Sequence, residues 1–266
     1  MSIDNGNLVL KAVTKRFGGL VAVAELSTAV LAGSVHGLIG PNGAGKSTTI
    51  GLVAGFLRPD AGTILFGTHD LRRLGPSAIA RLGISRTFQQ ATPLGGLTVF
   101  ENVLVGLHTS YRSGLGSVLA RTPGARREAG AMVEAARKLL ALFGLEALAA
   151  TDARNLTFGQ LRFLEIARAI AMRPRMLLLD EPAAGLNEAE RARLADLIRG
   201  FRREGIGMLL VDHDVPFVFE LADRMTVMNF GSVIASGDPD RVYRDPAVRE
   251  AYLGSADVEG DAAWHS

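Results

Sequence analysis

The run Gly40-Pro41-Asn42-Gly43-Ala44-Gly45-Lys46-Ser47 matches the phosphate-cradling pattern G-x-x-x-x-G-K-[ST] at every fixed position. Residues 35–39 ahead of it are apolar enough for a buried strand, and residues 47–56 behind it suit a helix, so the glycines fall at a strand-to-helix turn. In such a turn the backbone N–H groups close around phosphate oxygens with no Cβ in the way, and the helix N-terminus adds partial positive charge. The chemistry implied is binding of a nucleoside triphosphate. Lys46 would reach the β and γ phosphates, and the Ser47 hydroxyl would hold Mg²⁺.

Two further apolar runs end in groups suited to phosphoryl transfer. Residues 176–179 lead into Asp180 and Glu181. The first carboxylate can bind Mg²⁺ through its water shell, and the second can orient or deprotonate an attacking water. Residues 207–211 lead into Asp212 and His213, and a histidine at the lip of a parallel sheet can donate to the γ-phosphate or to the water. Gln89 follows the expected buried strand at 84–88, where its neutral amide could report on the metal and the γ-phosphate without adding charge. Each feature alone is an ordinary surface feature; beside a phosphate loop they form a set. Thr157 is placed to cap a helix, and a helix start with a hydroxyl and Gly159 makes a second anion receptor. Two receptors for one triphosphate suggest that the second serves the nucleotide of another subunit.

The elements that must position these groups are legible in outline. Residues 8–13 and 21–30 alternate as antiparallel strands about a turn at Gly18-Gly19, and residues 63–66 form another strand after the turn at 59–62. Pro76 opens a helix closing at Gly83, and a strand follows at 84–88. From 89 to about 156 the pattern is helical, at 98–107 and 126–143, with a loop at 110–124. Alternation then resumes: helix 158–172, strand 176–179, helix 188–203, strand 206–211 and a hairpin about Gly231. Strand–helix alternation argues a parallel sheet flanked by helices, with ligands at the carboxyl ends of its strands. The expected fold is α/β with a mainly parallel core, an antiparallel β subdomain and an α-helical insert, and with the phosphate loop it resembles a P-loop NTPase (RecA-like). Residues 1–88 and 157–254 are expected to form the nucleotide-binding core and 89–156 the helical subdomain, with 255–266 a tail.

Composition narrows the class. A chain of 266 residues with 48% hydrophobic and 21% charged residues is an ordinary folded protein. The formal charge of +2 is small, and the pairs Arg72-Arg73, Arg126-Arg127 and Arg202-Arg203 are scattered without aromatics, which argues against nucleic acid. With no cysteine there is neither disulfide nor thiolate metal site. No run of apolar residues is long enough to cross a membrane, so any membrane role is expected to come through a partner. A guanine-reading Asn-Lys-x-Asp motif is missing, which disfavours a GTPase switch.

The order and spacing of GPNGAGKS, Gln89, LTFGQ, MLLLDEP and His213 resemble the nucleotide-binding subunit of an ATP-binding cassette (ABC) transporter over nearly the whole chain. Arg16-Phe17-Gly18-Gly19-Leu20, Arg86-Thr87-Phe88-Gln89, Pro182-Ala183-Ala184-Gly185-Leu186-Asn187 and Ala251-Tyr252-Leu253-Gly254 resemble more narrowly the ATPase subunit of branched-chain amino acid importers. The resemblance implies ATP and Mg²⁺ as cofactors. Phe17 would stack on adenine, with Gly40, Pro41, Asn42, Gly43, Ala44, Gly45, Lys46, Ser47 and Thr48 around the phosphates. Ser47, Gln89 and Asp180 would serve the metal, and Glu181, His213 and Lys46 would be catalytic. Thr157, Phe158, Gly159 and Gln160 would press on the γ-phosphate held by a partner ATPase, and Gly185, Leu186 and Asn187 would communicate across that interface.

The partners implied are a second ATPase subunit, two membrane permease subunits and, indirectly, a periplasmic or extracellular solute-binding protein. The place implied is the cytoplasmic face of the inner membrane, as a peripheral protein. The expected function is Mg²⁺-dependent ATP hydrolysis that energises uptake of branched-chain amino acids. Alternatives are import of another amino acid, an amide or urea, or a soluble ATPase of the same superfamily. The chain departs from the commonest family pattern at Thr157, Phe158, Leu161, Asn187 and Asp212, where serine, glycine, glutamine, aspartate and glutamate are usual.

Overall fold

The structure, a computed structural model, describes residues 6–87, 93–108 and 123–253. Its strands are β1 Leu8–Phe17, β2 Leu20–Val30, β3 Val35–Ile39, β4 Ala61–Phe66, β5 His69–Asp70, β6 Ile84–Arg86, β7 Met176–Asp180, β8 Gly207–Val211, β9 Arg224–Asn229 and β10 Ser232–Gly237. The α-helices are α1 Lys46–Val53, α2 Pro76–Arg81, α3 Val99–His108, α4 Pro123–Leu142, α5 Phe158–Ala171, α6 Glu188–Arg203, α7 Val215–Leu221, α8 Pro239–Tyr243 and α9 Pro246–Leu253. Contacts divide the chain into two units: Met1–Ile84, Arg175–Ala184 and Glu188–Ser266 in one, Ser85–Pro174 and Gly185–Asn187 in the other.

The first unit carries two sheets. One is antiparallel, in the order β2-β1-β4-β5, with β1 and β2 paired from Leu8↔Val30 to Phe17↔Leu20. The other has the order β10-β9-β3-β8-β7-β6, in which β3 runs parallel to β8 and β9, and β7 runs parallel to β8. Every residue of β3, β7 and β8 is buried, which is why their sequences read as near-continuous apolar runs. The register pairs Leu38 and Asp180 with Val211, so the three strands finish together. Whatever follows them emerges at one edge of the sheet. Apolar side chains such as Ile50, Val53, Leu178 and Leu209 fill the core that fixes this edge. Truncating one such side chain typically costs about 2–5 kcal/mol.

On α6, Leu194, Leu197, Ile198 and Phe201 form the buried stripe. Glu188 and Glu190 in its first turn and Arg202 and Arg203 in its last complement the helix dipole.

The second unit is helical. Val99, Val103 and Leu107 form the buried face of α3, and Asn102 on the same helix accepts from the Leu94 N–H at 3.1 Å. Helix α5, expected with the core on the resumption of strand–helix alternation, instead packs on α3 and belongs to this unit. A buried ion pair joins Arg162 to Glu165 on α5 at 3.0 Å.

Candidate active site

Between β3 and α1 the chain makes the phosphate loop. Gly45 is the N-cap of α1 at φ +105°, and a Cβ there would lie 2.3 Å from the Ala22 carbonyl oxygen. Only glycine fits. Having no side chain, this cap leaves the first-turn N–H groups of α1 to an external acceptor. Lys46 is buried, and its Nζ donates to the Gly40 carbonyl at 2.6 Å and the Pro41 carbonyl at 3.0 Å. Burial pushes its pKa down, and the charges of Glu181, Asp180 and Asp212 oppose that. Ser47 is exposed and Thr48 half-buried, while the Thr49 hydroxyl turns back to donate to the Gly45 carbonyl at 3.0 Å.

At the end of β7, Asp180 is fully buried. Glu181 is half-buried at φ +49°, a conformation uncommon outside glycine, and its N–H donates to the Val211 carbonyl at 2.7 Å. At the end of β8, Asp212 is buried: Oδ2 accepts from the Ala183 N–H and Oδ1 from the Asp214 N–H, both at 3.0 Å. Burial pushes its pKa up, and the two N–H groups oppose that. The His213 ring is mostly exposed, with Nδ1 3.5 Å from Asp212 Oδ1.

Phe17 ends β1 as a residue 46% exposed, and the Lys15 ammonium lies 5.4 Å from its ring centroid. The phosphate loop, both carboxylates and His213 thus share the edge formed by β3, β7 and β8. Gln89 lies outside the described residues. The anchoring role of Asp212 was not drawn from the sequence; its only signal there is its place between an apolar strand and His213.

In the second unit Thr157 caps α5 with a reciprocal pair of bonds. Its hydroxyl accepts from the Gln160 N–H at 3.3 Å, and its own N–H donates to Gln160 Oε1 at 2.9 Å. Phe158 is half exposed, with the Arg162 guanidinium 5.7 Å from its ring centroid. Gly185 sits against that ring at φ +72°, where an added Cβ would be 2.6 Å from Phe158 Cε1. Gly159 and Leu186 are buried, and Asn187 is exposed.

A family model described as ABC transporter matches residues 23–184, from β2 through the phosphate loop and Glu181 to Ala184. The chain belongs to the ABC transporter family. A second model, described as branched-chain amino acid ATP-binding cassette transporter, matches residues 232–258 of this family member. Among its relatives, the high-affinity branched-chain amino acid transport ATP-binding protein LivG of Escherichia coli K12 is 40% identical over 250 residues, 94% of this chain and 98% of the relative. Among solved structures, a nucleotide-free ATP-binding cassette from an ABC transporter is 34% identical with a TM-score of 0.80, covering 93% of this chain and 98% of that one. A cassette solved in its ADP conformation is 33% identical, also at TM-score 0.80, covering 94% and 99%. As an ABC-type ATPase, the chain has the mixed α/β fold of these cassettes, with parallel and antiparallel sheets. Among the described residues no helix is long and apolar enough to cross a membrane.

Proposed function

We propose that the chain hydrolyses ATP to drive uptake of branched-chain amino acids through membrane permease subunits. One observation carries the chemistry: Lys46, Asp180, Glu181 and His213 stand at the carboxyl ends of three adjacent parallel strands whose register brings them to one edge. The cargo class is supported by the similarity to LivG and by the match at residues 232–258.

The loop from Gly40 to Thr48 cradles the phosphates with backbone N–H groups, and Lys46 exchanges its bonds to Gly40 and Pro41 for phosphate oxygens. Phe17 offers an exposed ring face to adenine. Ser47 and Asp180 present a hydroxyl and a carboxylate, hard oxygen donors that suit Mg²⁺, and Gln89 is the third residue assigned to it. When bound, Mg²⁺ neutralises charge on the phosphate oxygens. Glu181 takes the proton of the attacking water, and His213 donates to the γ-phosphate.

Thr157, Phe158, Gly159 and Gln160 complete the site of a second ATPase subunit, and Gly185, Leu186 and Asn187 relay its state. In this reading the pair closes on ATP and reopens after hydrolysis, and the permeases convert that cycle into alternating access. A solute-binding protein delivers the amino acid, and the ATPase works as a peripheral protein at the cytoplasmic face.

The test is uptake of radiolabelled leucine by cells lacking the gene. Complementation by the wild-type chain and failure of Lys46→Ala are expected. Unchanged leucine uptake on deletion, with loss of uptake of another solute, would overturn the cargo assignment.

A further inference from the structure

Asp212 takes no part in the chemistry described above, yet its carboxylate has 0% side-chain exposure. Burying an anion is costly unless it is well bonded, and here each oxygen has a backbone donor. The Ala183 N–H, two residues beyond Glu181, meets Oδ2 at 3.0 Å; the Asp214 N–H, one residue beyond His213, meets Oδ1 at 3.0 Å. Asp214 is itself anchored: Oδ1 accepts from the Phe217 N–H at 3.1 Å to cap α7, and Oδ2 pairs with Arg191 on α6. His213 therefore sits between two fixed carboxylates while its own ring stays mostly exposed.

We propose that Asp212 is a positioning residue that holds the loop after Glu181 and the loop bearing His213 in one frame. The inference rests on the hydrolytic reading of those two residues and names what fixes their relation. Two N–H donors converge on one side chain, and a carboxylate supplies an acceptor to each. Asparagine has the same shape but one oxygen, so its amino group would meet one of the donors and release one loop. Glutamate keeps both acceptors with one methylene more.

The test is steady-state hydrolysis of Mg²⁺-ATP by the full-length chain in its assembled membrane complex. Asp212→Asn is expected to lower kcat about 10- to 100-fold, the scale on which small misplacements act. KM for ATP should stay within about twofold, because Asp212 does not enter the phosphate contacts assigned to the loop. Asp212→Glu should retain more turnover than Asp212→Asn. In a His213→Ala background Asp212→Asn should cost a smaller factor than in the wild type, since one of the two groups it holds is gone.

Wild-type kcat in Asp212→Asn, or equal factors in the two backgrounds, would overturn the proposal. If Asp212→Asn does not fold, a folded Asp212→Glu with kcat below one hundredth of wild type would overturn it too, and near wild-type turnover would support it. Glu181→Gln is assayed in parallel. Normal turnover there would sink the assignment of Glu181 as base, whereas a slow Glu181→Gln beside a fast Asp212→Asn sinks this inference alone.

Discussion

Lys46 Nζ donates to the carbonyl of Gly40 at 2.6 Å, so the cation of the phosphate loop folds back on the residue that opens the loop. The same ammonium reaches Pro41 at 3.0 Å, and burial lowers its pKa against the pull of three carboxylates. A triphosphate supplies stronger acceptors than two carbonyls, which makes the exchange favourable.

Lys46→Ala removes that cation from the site. Affinity for Mg²⁺-ATP is expected to fall about 10- to 100-fold, or roughly 1.4–2.7 kcal/mol. Titration with a fluorescent ATP analogue measures it, and an unchanged dissociation constant would take Lys46 out of the binding site.

Gly45→Ala meets both a positive φ and the Ala22 carbonyl 2.3 Å from the new Cβ. Relief requires moving β2 away from the loop. The variant should lose about 2–4 kcal/mol of stability in urea unfolding and bind nucleotide poorly. A loss below about 0.5 kcal/mol would show that the loop is looser than its geometry implies.

His36 is buried on β3, with Nε2 2.9 Å from the Thr226 hydroxyl and 3.2 Å from that of Thr28. Burial first, and the Arg224 charge second, lower its pKa from 6.5 to about 4. The folded state therefore resists protonation that the unfolded chain accepts. Stability is full above pH 6.5 and falls as the pH drops toward 4, by about 3 kcal/mol at most. Urea unfolding at a series of pH values should give this slope, and His36→Gln should flatten it. An equal slope in the variant would assign the acid sensitivity elsewhere.

Arg162 and Glu165 are a buried ion pair on α5, at 1% and 4% side-chain exposure. Glu165→Ala removes this carboxylate from a buried guanidinium and should cost about 3–5 kcal/mol, whereas replacing both residues with apolar side chains of similar volume should cost less. Chemical denaturation compares the two. A single variant as stable as wild type would mean the pair adds nothing to the helical unit.

Sequence and structure agree best where one local rule dominates. Strands β3, β7 and β8 are buried on both faces, so apolar runs bounded by polar residues revealed them, and the phosphate loop between β3 and α1 followed from glycine spacing. Thr157 was readable as a cap because a capping box is written in neighbouring residues. Helix α7 does not show in the sequence: its seven residues are about two turns, too few for an apolar face to repeat, and its start depends on Asp214. The tie between Asp212 and Ala183 spans 29 residues and is made by a backbone N–H, so no pattern of side chains announces it. For the same reason the grouping of α5 with α3 came from packing, not from its place in the chain.

Glu181, the proposed base, is held at φ +49° at the end of β7 with its N–H on the Val211 carbonyl. Single-turnover hydrolysis of ATP by the assembled complex carrying Glu181→Gln measures that role directly. Hydrolysis is predicted to slow about 10²- to 10⁴-fold, roughly 3–5 kcal/mol, while ATP stays bound. Hydrolysis at the wild-type rate would contradict it.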